Sequence, residues 1–148
     1  MSPENPYAAE AERFFRSGFS CSQAVLAAFG PDLGLELGLA LRIAQPFGGG
    51  LAQTGRMCGA ASGAILAIGL KYGRTKPEDI PAKEKTYDLV RLFLAEFLEA
   101  HGELDCPNLL GYDLSIPDEA KKAEDEGLFE TLCTNLVRSA AEILSEII

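Results

Sequence analysis

An all-α fold is what this sequence predicts, from three observations: apolar residues recur at helical spacing along most of the chain, capping signals precede the apolar runs, and no stretch alternates with period two. At 148 residues with 47% hydrophobic and 24% charged residues, the chain is long enough to bury a core as one domain over residues 1–148. No fixed-period repeat or low-complexity linker divides it.

The elements follow in order. Asn5-Pro6 reads as a cap and first helical position, with Tyr7, Ala11, Phe14 and Phe15 on one stripe until Gly18. Ser20-Cys21-Ser22-Gln23 is a Ser-x-x-Gln capping box that opens a second helix at Cys21, stopped by Gly30-Pro31. Leu35 to Ala44 predicts a short buried helix, ended by Gln45-Pro46-Phe47 and the run Gly48-Gly49-Gly50. Thr54-Gly55 is expected to cap a helix running from near Cys58 to Tyr72, and its small residues (Gly59, Ala60, Ala61, Gly63, Ala64, Ala67) mark it as the central helix. Pro81 opens a long amphipathic helix with Tyr87, Val90, Leu94, Phe97 and Leu98 on its buried face and Gly102 as its stop. Cys106-Pro107 starts a single turn closed by Gly111, and Ser115 to Glu126 is a polar helix. Leu128 to Ile148 carries a last stripe through Leu132, Leu136, Val137, Ala140, Ile143, Leu144 and Ile147.

Composition bounds the function. A formal charge of -9 repels phosphate backbones and anionic lipid, so neither nucleic acid nor a membrane surface is an expected partner. The longest apolar run, Cys58 to Leu70, is too short to span a bilayer. The amino terminus has no positive n-region followed by an apolar stretch, which makes the cytoplasm the expected compartment.

Chemistry then rests on Cys21, Cys58, Cys106 and Cys133. They are widely spaced, with no Cys-x-x-Cys pair and no zinc-ribbon pattern. Three of them fall near predicted helix starts, where unpaired N–H groups and the helix dipole stabilise thiolate and can lower a cysteine pKa from about 8.5 to roughly 3.5–7.5. Cys58, with Arg56 two residues before it, is expected to be the most reactive, whereas Cys133 lies inside the last helix and borders the core. The bland alternative is that these are small apolar fillers, since free cysteine is among the most buried residue types. His101, the sole histidine, reads as a helix-end residue. The Gly48-Gly50 run could form an anion-binding nest, but it lacks the Lys-Ser/Thr ending of a P-loop.

Phe47-Gly48-Gly49-Gly50-Leu51, the segment Gly55 to Gly63 around Cys58, and the later Cys106 and Cys133 give the chain a resemblance to the C_GCAxxG_C_C family. Cys21 matches the first family cysteine, and Cys58 with Gly59, Ala60 and Gly63 matches the small-residue core. One departure is that the family name puts glycine before the cysteine, whereas here Met57 precedes Cys58 and Gly59 follows it. The resemblance implies a bacterial or archaeal redox protein acting through these cysteines.

The expected activity is therefore that of a thiol–disulfide oxidoreductase whose partner is a redox protein or a small-molecule substrate. The alternative is a metal or iron–sulfur protein with thiolate ligands. No cofactor is specified, and a homo-oligomer is compatible with the sequence. Four cysteines allow three pairings. Helix-start positions near small residues favour Cys21 with Cys58, leaving Cys106 with Cys133.

Overall fold

The computed structural model describes residues 4–148; Met1 to Pro3, the beginning of the stretch read above for a leader, lie outside the described residues. The fold is all-α. Among the described residues the only extended pairing is one antiparallel bridge, Met57 with Asp105.

Helix α1 (Pro6–Arg16) begins where expected: the Asn5 side chain accepts from the N–H groups of Tyr7 and Ala8 at 3.0 and 3.1 Å, with Pro6 in the first position. Helix α2 (Cys21–Phe29) opens on a complete capping box, in which the Gln23 side chain accepts from the Ser20 N–H at 3.0 Å. Every residue from Ser22 to Phe29 is buried. Two polar side chains survive that burial because they are bonded: the Ser22 hydroxyl donates to the Ala44 carbonyl at 2.7 Å, and the Gln23 amide donates to Leu41 O and Gln45 Oε1.

Helix α3 (Leu37–Ala44) departs from the expected buried helix. Only Ala40 and Ala44 are buried, and Leu37, Leu39 and Ile43 are exposed, because α3 meets α2 with its small-residue face alone. A 3-10 turn (Gln45–Phe47) leads into the glycine run, where residues 49 to 53 all have positive φ: 67° and 80° at Gly49 and Gly50, then 65°, 51° and 63° at Leu51, Ala52 and Gln53. Left-handed backbone costs a non-glycine residue about 1–2 kcal/mol, so this turn needs support. Pro46 O receives the Ala52 N–H at 2.8 Å, Gly48 O the Gln53 N–H at 3.1 Å, and the Thr54 hydroxyl donates to Leu51 O at 2.7 Å.

Thr54 is thereby consumed inside the turn. The expected Thr54-Gly55 cap is replaced by Cys58, which holds the N-cap position of α4 (Gly59–Tyr72) after the bridge at Met57. Helices α2 and α4 form the centre of the bundle, and they approach closely because Gly63 carries no side chain: a Cβ there would lie 2.7 Å from the Ser22 carbonyl.

Helix α5 (Ile80–His101) packs on α4 and on the last helix through Phe93 and Phe97, both fully buried and each worth about 1.5–3 kcal/mol of transfer free energy. Tyr87 and Leu98, expected on the buried face, are exposed, since Phe93 and Phe97 set a face rotated away from them. A single turn, α6 (Cys106–Leu110), closes on Gly111 as expected, and α7 (Pro117–Asp125) is polar with only Ala123 buried. Helix α8 (Leu132–Ile147) starts four residues later than the apolar stripe suggested, because Gly127 to Thr131 form turns. Its buried residues Leu136, Val137, Ala140 and Leu144 complete the main core.

Beside that core lies a second, smaller cluster of Cys106, Leu110, Leu114 and Ala123, onto which Phe129 and Cys133 pack. The seam between the two clusters positions the cysteines.

Candidate functional site

Four segments distant in sequence bring one cysteine each to the seam. Cys21 is the first residue of α2, Cys58 caps α4, Cys106 opens α6, and Cys133 is the second residue of α8. All four line a single cavity of about 150 Å³. Cys21 and Cys58 belong to the main core, whereas Cys106 and Cys133 belong to the smaller cluster across the seam. The cysteines are free thiols.

The bridge between Met57 and Asp105 places two of them. The Cys58 N–H donates to Leu104 O at 2.7 Å and the Cys106 N–H donates to Arg56 O at 2.9 Å. With side chains alternating along extended backbone, Cys58 and Cys106 then project to the same side of this short ladder, into the cavity. Gly50 lets the ladder close: a Cβ there would stand 2.6 Å from Arg56 O and 3.0 Å from the Cys106 Cβ.

Cys21 is held from the other side. Its sulfur occupies the space that a Cβ on Gly59 would fill, so only glycine after Cys58 allows the two segments to meet. The walls are otherwise apolar, from Phe15, Leu109, Leu110, Leu114, Phe129 and Leu136. Ser20, Gly49 and Gln53 complete the lining, which contains no charged side chain.

Burial governs the thiols. It pushes the Cys58 pKa well above its ordinary value, with the neighbouring Cys21 sulfur adding to the rise against the Ala60 N–H. Cys106 is pushed up to about 12 by burial, then by Cys21 and Asp113. Cys133 also reaches about 12, through burial and then Cys21 and Cys106. Burial raises Cys21 as well, but here backbone N–H groups of Gly49, Ser22, Cys21 itself and Ala60 oppose it.

These directions correct the expectation of lowered pKa values at helix starts. Amides and dipole are present, yet desolvation can shift a buried group by up to about 3–5 pKa units, more than a helix terminus returns. Arg56 does not compensate. Its side chain is exposed and outside the cavity lining, and it serves the site through its backbone.

Cys21, rather than Cys58, is thus the thiol whose burial is opposed by the most backbone amides, and its thiolate, once formed, would raise the pKa of each of the other three. Gly49 is one of them, so the glycine run read as a candidate anion nest lies beside Cys21 in the cavity lining. Among the described residues no group of three or more His, Cys, Asp or Glu is placed to hold a metal ion. His101 lies outside the cavity lining: its Nε2 pairs with the Ser139 hydroxyl at 2.8 Å, its ring packs on Phe97, and burial lowers its pKa.

The family described as "Putative redox-active protein (C_GCAxxG_C_C)" matches residues 19–147. The chain belongs to this family. The matched span holds all four cysteines and every cavity-lining residue except Phe15. No curated protein and no solved structure matches the chain. No helix among the described residues is long and apolar enough to cross a membrane.

The sequence reading missed the left-handed turn at residues 49 to 53 and the cavity lining from Leu109, Leu110, Leu114 and Phe129. Glycine runs signal bending, but nothing local signals that three non-glycine residues follow the same hand. The second cluster assembles from short segments without a stripe of their own.

Proposed function

We propose that the four cysteines form a thiol–disulfide redox centre, with Cys21 as the attacking thiol and Cys58 as its partner. The observation that carries this reading is the convergence of four cysteines from four separate segments on one cavity. Inert filler cysteines have no reason to meet in this way. Cys58 is assigned as partner because the Cys21 sulfur lies against Gly59, the residue that follows Cys58, and both cysteines belong to the same core cluster.

The step balances as a disulfide exchange. Cys21 loses its proton, attacks one sulfur of an external disulfide and expels one thiolate, which takes up a proton. Cys58 then attacks the Cys21 sulfur of the mixed disulfide and expels the second thiolate, leaving a Cys21–Cys58 disulfide and two external thiols. Burial keeps the resting thiols protonated, and the amides around Cys21 lower the cost of forming its thiolate. Cys106 and Cys133 form the opposite wall and can receive the oxidation in a second exchange.

Metal analysis together with a thiol count, on chain prepared anaerobically without chelator, tests this reading. Four titratable thiols are expected, falling in pairs on treatment with the neutral oxidant diamide and returning with dithiothreitol. Four thiols that persist in both diamide and the smaller bis(2-hydroxyethyl) disulfide would overturn it. So would stoichiometric zinc or iron that shields the thiols from alkylation, which would favour thiolate ligation.

A further inference from the structure

The cavity also restricts what can reach the thiols. Its volume, about 150 Å³, matches that of a protein cavity lined by Leu, Ile and Phe that accepts benzene. No Lys, Arg, Asp or Glu side chain lines it, and the one carboxylate that acts on Cys106, Asp113, stands outside the lining, so a charged group entering would lose hydration with no opposite charge inside to meet. Ser20 is already committed, bonded to Ser22 and to the Gln23 backbone and side chain. Gln53, exposed and on the left-handed turn, is the polar side chain left at the rim.

We infer that the substrate of this centre is a small, uncharged disulfide or dithiol, with a reacting part no larger than about a benzene ring. Bulky or ionic thiols such as glutathione are excluded from the cavity. This inference rests on the thiol–disulfide reading above and adds to it the class of molecule exchanged. Cys133 is part-exposed as a residue, whereas Cys58 is buried. The raised thiol pKa values agree with an interior of low polarity. In the forward direction two protein thiols are oxidised to one disulfide, and the entering disulfide leaves as two neutral thiols.

Three disulfides of similar size and different charge test this on the full reduced chain: bis(2-hydroxyethyl) disulfide, which is neutral; cystamine, a dication; and dithiodiglycolate, a dianion. Thiol loss is followed by mass, and each rate is divided by the rate with the same chain unfolded in urea, which removes the intrinsic reactivity of the reagent. The expected ratio for the neutral probe is at least about tenfold above that of either ion, as the cost of desolvating a charge requires.

A reaction at the surface gives a different order. With a formal charge of -9, the chain attracts cystamine and repels dithiodiglycolate, so the rates would run cation, neutral, anion. That order, or equal ratios for all three, would overturn the inference while leaving the redox centre intact. If neither these probes nor diamide oxidises the folded chain, the redox reading fails and this inference fails with it.

Discussion

The sulfur of Cys21 fills the space that a Cβ on Gly59 would need. Two helix starts, α2 and α4, can therefore bring their cysteines to one cavity only while residue 59 has no side chain. Gly59→Ala should lower stability by about 1–3 kcal/mol, the usual cost of overpacking. Gly69→Ala, in the same helix with no atom within 4 Å of the added methyl, should instead stabilise by up to about 1 kcal/mol through helix propensity. Urea unfolding of both variants checks this, and equal effects of one sign would contradict it. Gly63→Leu should be at least as damaging as Gly59→Ala, because the Ser22 carbonyl stands 2.7 Å from the first added atom.

Ser22 ties α2 to the end of α3. Its buried hydroxyl donates to the Ala44 carbonyl at 2.7 Å, and Ser22→Ala leaves that carbonyl without this partner. A loss of about 1–3 kcal/mol is expected by urea unfolding. A change within about 0.5 kcal/mol, the range of ordinary surface substitutions, would show that the bond contributes little.

Strain in the turn after the glycine run makes a prediction of the opposite sign. Ala52 is exposed with φ 51°, a conformation that costs alanine about 1–2 kcal/mol and glycine almost nothing. Ala52→Gly should raise stability by about 1 kcal/mol after the larger chain entropy of glycine is subtracted. Thermal and urea unfolding should agree on the gain, and a loss would mean that the turn is not strained there.

Much of this fold can be read from local signals. Asn5-Pro6 and the Ser20 capping box set the starts of α1 and α2, and the Leu136, Val137, Ala140 and Leu144 stripe identifies α8. The helix-start positions of Cys21, Cys58 and Cys106 were legible for the same reason. Their ionisation was not, because it depends on how deeply tertiary packing buries each sulfur. Nor could Tyr87 and Leu98 be separated from Phe93 and Phe97 by period alone, since helix rotation is decided by the neighbours α4 and α8. The left-handed turn was hidden because Leu51, Ala52 and Gln53 adopt positive φ under bonds to the Pro46 and Gly48 carbonyls and from the Thr54 hydroxyl rather than by preference.

Thiols with raised pKa values give the folded chain a defined alkaline limit. An unfolded cysteine ionises near pH 8.5, whereas Cys106 and Cys133 hold their protons to about 12 when folded. Between these values the folded state binds more protons than the unfolded one, so stability falls as pH rises. It should be level with respect to these groups below about pH 8.5 and decline through to about 12. The phenols of Tyr7 and Tyr112, raised by hydrogen bonds to Asp32 and Glu126, add to the decline nearer about pH 10. Cys133→Ala should therefore show a smaller loss between about pH 8.5 and 10 than the parent chain, measured by urea unfolding at each pH. An equal loss would place Cys133 nearer its ordinary pKa.

The proposed redox centre joins the four cysteines of one cavity around Cys21. Its most direct measurement is peptide mass mapping of the folded chain after reaction with one equivalent of diamide, compared with the same reaction in urea. A first linkage from Cys21 to Cys106 or Cys133 would keep Cys21 at the centre and change its partner. The predicted product is a single intramolecular disulfide joining Cys21 to Cys58, absent as a dominant species from the unfolded chain. A product in which Cys21 remains a thiol, or in which the disulfides join two chains, would contradict the account.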